Sequence, residues 1–124
     1  MSQLIFRQES YAIIGAAMKV HNELGCGFIE SVYQEAFEIE LNLRQIPFIR
    51  EAPLLINYRG QRLNKEFRVD FICYNKIILE LKAVQEFSNI HQAQVLNYLK
   101  ASDLSLGLLI NFGNTELETQ RFVY

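Results

Sequence analysis

The chain has 124 residues, half of them hydrophobic, and a formal net charge of −2. That length and composition fit one compact domain, residues 1–124, with a real core, and exclude intrinsic disorder. The slightly acidic balance argues against a protein that binds nucleic acid through a general basic surface, but leaves room for an enzyme with a local acidic metal site.

In chain order, Arg7 to Leu24 has the spacing of a helix, with Ile13, Ile14, Ala17, Val20 and Leu24 on its apolar stripe. Gly25-Cys26-Gly27 stops it. A second helix runs from about Phe28 to Gln45, with Val32, Ala36, Ile39 and Leu43 as its stripe, and Pro47 ends it. The two helices make an αα-hairpin. Strands are expected over Phe48–Tyr58, Leu63–Tyr74 and Lys76–Val84, joined by turns at Tyr58–Gln61 and Tyr74–Lys76. A helix from Asn89 to Ser102 turns Ala93, Leu96 and Leu99 inward, and Ser105–Phe112 is apolar enough to be buried on both faces. Gln120–Tyr124 adds an edge strand. This order predicts an α/β fold: a central mixed sheet flanked by helices, with a parallel crossover through Asn89–Ser102.

Cys26 and Cys73 form no CxxC pair and fit packing residues in a reducing compartment. The opening MSQLIFRQES has no basic segment followed by an apolar run, and no stretch approaches the ~20 apolar residues that span a bilayer. A cytoplasmic location, with no membrane partner, is the expectation.

The residues that carry chemistry begin with Ile77-Ile78-Leu79-Glu80-Leu81-Lys82. An apolar strand is normally buried, yet Glu80 and Lys82 share one of its faces. If Phe67, Val69, Phe71, Leu79 and Leu81 form a common core face, then Asp70, Glu80 and Lys82 share the other, with Asp70 and Glu80 nearly opposite across the hairpin. Two carboxylates that close repel unless a proton or a cation intervenes. Lys82 offsets one charge, and a hard ion such as Mg²⁺, which takes one or two carboxylates and binds phosphate oxygens, offsets the rest. That is the arrangement for metal-assisted phosphodiester hydrolysis, with Lys82 positioning the attacking water or stabilising transition-state charge. The plain structural alternative is a weak surface ion pair.

Two further patterns flank this one. Gly27, Glu30 and Tyr33 are spaced as GxxExxY, with Glu30 in the first turn of its helix, where the dipole favours a carboxylate. Taken alone, they are explained by capping and packing. Gln94 and Tyr98 lie four apart on one helical face with His91, offering hydrogen bonds to a phosphate or to water, or simply forming an exposed polar stripe. His91 is best explained as a surface or capping residue.

Asp70, then Glu80-Leu81-Lys82, then Gln94-x-x-x-Tyr98 resembles the PD-(D/E)XK nuclease superfamily in its RecB-like form. With Gly27-x-x-Glu30-x-x-Tyr33 upstream, the chain is similar to the small prokaryotic GxxExxY proteins of that superfamily, over nearly its whole length. Val69 stands where the superfamily's name has proline. The resemblance implies a restriction-endonuclease-like core. It implies Asp70 and Glu80 as Mg²⁺ ligands, assisted by the Leu81 carbonyl, with Mn²⁺ as a substitute, and Lys82 as the catalytic lysine. Glu30 would be a further metal ligand or a water-holding group, and Tyr33, Gln94 and Tyr98 would support the site or contact substrate. The function implied is a Mg²⁺-dependent nuclease on nucleic acid, DNA in preference to RNA, acting as a homodimer or beside a protein partner. Two alternatives stand against it: an inactive nuclease-fold binding or assembly module, and a generic α/β domain whose motifs never converge.

Overall fold

The computed structural model describes residues 5–124; residues 1–4, part of the opening stretch searched for a targeting signal, lie outside it. The chain runs α1 (Arg7–Leu24), α2 (Glu30–Leu43), β1 (Phe48–Tyr58), β2 (Gln61–Cys73), β3 (Ile77–Lys82), α3 (Asn89–Ser102), β4 (Leu106–Asn111) and β5 (Glu118–Val123). The strands form one mixed sheet in sequence order. Neighbours are antiparallel except β3 and β4, which pair in parallel because α3 carries the chain back between them. Among the described residues no helix is long and apolar enough to cross a membrane.

The sheet is covered on both faces. Ile13, Ala17, Tyr33, Phe37 and Leu41 of α1 and α2 pack on Phe71, Leu79, Leu81, Leu108 and Phe112. On the opposite face, Val95 and Leu99 of α3 pack on Leu54, Val69, Ile78 and Leu109. Alternation along β3 and β4 therefore feeds two cores at once, and each fully buried Leu, Ile or Phe contributes about 1.5–3 kcal/mol. That is why IILELK and the β4 run are apolar almost throughout.

Three expectations about faces are corrected. The buried stripe of α2 is Tyr33, Phe37 and Leu41, whereas Ile39 and Leu43 are exposed. The aromatic rings bury more area than the aliphatic set, and they decide the rotation of the helix. In α3 the inward residues are Val95 and Leu99, while Ala93 and Leu96 face out. The helix settles over Gly107, where an added Cβ would lie 2.6 Å from Val95 Cγ1. Val69 and Phe71 do not share a face: Val69 packs with α3 and Phe71 with α1 and α2. On β1, Arg50 pairs with Phe71 and Ala52 with Val69, which sets Glu51 opposite Asp70. Glu51 takes a left-handed conformation (φ +52°), and this breaks the two-residue alternation there. Arg50 accordingly reaches Glu38 of α2 at 3.0 Å, while Ala52 turns toward α3.

Candidate active site

The β2–β3 ladder ends at the pair Phe71 and Leu79. The next two residues, Asp70 and Glu80, complete the pairing with side chains instead. The Asp70 N–H donates to Glu80 Oε1 (3.2 Å), and the Leu81 N–H donates to Asp70 Oδ2 (2.7 Å). Two carboxylates thus sit in a fork where the β2–β3 pairing stops, beside the left-handed Glu51 of β1.

The helical layers close the fork from both sides. Gln34 of α2 donates to Asp70 Oδ1 at 2.7 Å. One turn earlier Glu30, the first residue of α2, accepts from the Ala83 N–H at 3.4 Å, just past Lys82. From the other side Tyr98 of α3 feels the negative charge of Glu80 and Asp70: burial raises its pKa first, then those two carboxylates.

Electrostatically the fork is under-compensated. Glu80 is 7% exposed, and burial, followed by the charge of Asp70, pushes its pKa up to about 8. Asp70 is also raised, chiefly by burial, with Glu30 adding to the rise and the Leu81 N–H and Lys82 opposing it. Lys82 lowers both carboxylates without restoring either to the ordinary range. The pair holds a proton near neutral pH unless further positive charge is supplied.

Of the residues singled out in the sequence, Asp70 and Glu80 meet at this fork, Glu30 reaches the backbone just past Lys82, and Lys82 and Tyr98 lie within electrostatic range of the two carboxylates. Leu81 has its side chain in the core, so only its backbone is at the fork. Gln94 lies with Tyr98 along a cleft next to it. His91 closes the N-terminus of α3, accepting from the Ser88 N–H (3.2 Å) while its own N–H donates to Ser88 Oγ (3.4 Å). Tyr33 is fully buried, so it offers substrate no surface. Its ring stacks on Phe112 at 4.7 Å, and its hydroxyl donates to Gly25 O (2.6 Å) and accepts from the Phe28 N–H (3.3 Å). It fixes the loop that delivers Glu30.

Sequence reasoning missed three positions. Gln34 had one available signal: it follows Glu30 by four residues, on the same face of α2. Asn111 is a fully buried amide at the end of an apolar strand. It accepts from the Val84 and Gly113 N–H groups (3.0 and 2.9 Å) and donates to Val84 O and Glu118 Oε1 (both 2.8 Å). Gly113 permits that clamp, because a Cβ there would fall 2.2 Å from Val84 O and 2.4 Å from Val84 N. Together they hold the two residues that follow Lys82 against β4.

A family model of the PD-(D/E)XK nuclease superfamily matches residues 7–122. The chain belongs to the PD-(D/E)XK nuclease superfamily. Among curated proteins none matches significantly. A solved structure described as the crystal structure of SSO0001 superposes with a TM-score of 0.61 at 21% identity, over 76% of this chain and 50% of that one. The PD-(D/E)XK chain therefore spans about half the length of that structure, and the likeness carries the fold.

Proposed function

We propose that the chain is a single-domain Mg²⁺-dependent nuclease of the GxxExxY, RecB-like kind, cleaving phosphodiester bonds in DNA in preference to RNA, in the prokaryotic cytoplasm. The observation that carries this is the fork: two mutually repelling carboxylates, Glu80 buried and Asp70 half-buried, beside Lys82, with Glu30 and Tyr98 brought in from opposite layers.

The donor set suits a hard divalent ion. Asp70 and Glu80 supply the two carboxylates that Mg²⁺ takes, with the Leu81 carbonyl as neutral help, and Mn²⁺ suits the same oxygens. When bound, such an ion supplies positive charge beside the scissile phosphate and makes nearby water more acidic. The protein's own residues do the rest. Gln34 and the Leu81 N–H hold the Asp70 carboxylate in one orientation. Lys82 orients the attacking water and offsets charge that develops on the phosphate. Glu30, at the positive end of α2, holds water at the rim of the fork.

A second reading, a binding module that has lost catalysis, draws on one observation. Both Asp70 oxygens already accept internal hydrogen bonds, and among the described residues no group of three or more His, Cys, Asp or Glu side chains is assembled for a metal. Two carboxylates are nonetheless all that Mg²⁺ requires of a protein.

The deciding measurement is cleavage of labelled DNA with Mg²⁺ or Mn²⁺ and with EDTA, alongside calorimetric titration of the metal. Cleavage should require metal and fall at least about 100-fold in Lys82→Ala and Asp70→Asn at unchanged circular dichroism. Folded variants that cleave as well as the parent would refute the nuclease. Absence of any heat of metal binding in the parent would favour the inactive module.

A further inference from the structure

β1 and β2 run on beyond the body of the protein as a two-stranded ribbon. They are joined through Arg59 and Gly60, whose φ values of +51° and +82° give a two-residue turn matched to the twist of a hairpin. All eight residues from Gln61 to Arg68 are exposed, so this part of β2 buries neither face. Its last tie to the body is Phe67, whose ring meets Tyr98 at 5.9 Å.

Two properties set the ribbon apart. The first is charge. Between Ile56 and Arg68 the chain carries Arg59, Arg62, Lys65 and Arg68 against the single acid Glu66, in a protein whose net charge is −2. Arg68 is paired with Glu66 at 3.0 Å. Among the described residues Arg59, Arg62 and Lys65 form no salt bridge. A local basic surplus on an acidic protein, projecting from the site, is an electrostatic footprint for a polyanion.

The second is the cleft at the ribbon's base. It has a volume of about 570 Å³ and is lined by Phe67 and Tyr98, the amides of Asn57, Gln94 and Asn97, and Lys100. Phe67 is 45% exposed, leaving ring surface free for stacking. Flat rings take the faces of bases, amides match the donors and acceptors on base edges, and Lys100 adds a cation. In a duplex the base faces are stacked inside and unable to enter such a cleft. Tyr98 belongs to both places, being in the cleft and within the electrostatic reach of Asp70 and Glu80.

We infer that the β1–β2 ribbon and the cleft beside α3 form a binding track for single-stranded nucleic acid, with phosphates on Arg59, Arg62 and Lys65 and bases in the cleft. The inference rests on the nuclease reading only for what happens at the far end of the track, where the strand meets the fork.

The test is fluorescence anisotropy of the full chain with labelled 20-nucleotide single-stranded DNA, single-stranded RNA and duplex DNA of one sequence. Binding is read over a series of salt concentrations, in EDTA and again in Mg²⁺. Either single strand should bind more tightly than the duplex. The triple variant Arg59→Ala/Arg62→Ala/Lys65→Ala should weaken binding roughly ten- to a hundredfold. It should also reduce the slope of log affinity against log salt by about 2, near 0.7 for each phosphate that loses its cation. Phe67→Ala should weaken binding roughly tenfold with the slope unchanged, since stacking releases few counterions. All these side chains are exposed, and circular dichroism verifies that the variants fold. Equal or tighter duplex binding, or a triple variant with unchanged affinity and slope, would overturn the track. If the parent cleaves DNA while the ribbon variant still binds normally, the track fails and the nuclease stands. If the single strand binds through the ribbon and is never cut, the track stands and the nuclease fails.

Discussion

Glu80→Gln should make this protein more stable, by an amount that grows with pH. In the folded chain Glu80 holds its proton up to about pH 8, against an ordinary value of 4.5. Between those two values the folded state binds a proton that the unfolded chain has released. Stability therefore falls as pH rises through this window and levels off above it. At about 1.4 kcal/mol per pH unit, the roughly 2.5 units from 4.5 to pH 7 amount to about 3 kcal/mol, and the plateau above pH 8 to about 5 kcal/mol. Glutamine has the same shape, keeps an oxygen for the Asp70 N–H, and can donate its amide to the Asp70 carboxylate. Urea unfolding followed by far-UV circular dichroism suits a chain with no tryptophan. Run in EDTA, it should show parent and variant equal near pH 4 and separated by about 3 kcal/mol at pH 7. Mg²⁺ or Mn²⁺ at pH 8 should stabilise the parent and leave the variant unmoved. A difference that does not vary with pH, or a variant less stable than the parent at pH 7, would mean that Glu80 is not a strained, desolvated carboxylate and would remove the main electrostatic argument for a cation.

Gly113→Ala should destabilise the fold by at least about 2–3 kcal/mol, because its new methyl meets the Val84 backbone; chemical denaturation measures this, and any nuclease activity should fall with it as the segment after Lys82 shifts. Tyr33→Phe keeps the stacked ring but leaves Gly25 O and the Phe28 N–H without their partner, which should cost about 1–2 kcal/mol and speed amide exchange at Phe28. Gln34→Ala removes a donor to the Asp70 carboxylate, so the pH midpoint for Mn²⁺ binding should move upward, as titration calorimetry at several pH values would show. A downward shift would contradict the assignment of Gln34.

Most of the fold was legible because its signals are local. The Gly25–Gly27 stop, Pro47 and the hairpin turns delimit elements whichever way they later pack. The short turn between β2 and β3 brought Asp70 and Glu80 opposite each other, since antiparallel register follows from it. Which side of a helix faces inward was less legible. Val32/Ala36/Ile39/Leu43 and Tyr33/Phe37/Leu41 are both acceptable stripes on α2, and only competition for the same sheet surface selects the aromatic one. The same holds for α3, whose rotation is set by the absence of a side chain at Gly107, on a strand that follows it in sequence.

The sequence by itself determined the succession of elements, the parallel return through α3 and the spacing of acid, acid and lysine, because each depends on residues close along the chain. Only the tertiary structure decided that β2 changes face at Asp70, that the ladder opens there, and that α2 and α3 reach the gap from opposite sides. Those outcomes depend on Glu51 beside β2, Gln34 thirty-six residues upstream of Asp70, and Asn111 clamping Val84 from twenty-seven residues away. Burial is the physical reason they matter: a carboxylate's charge is inexpensive on a strand in water, and becomes a demand for a cation once two helical layers have closed over it.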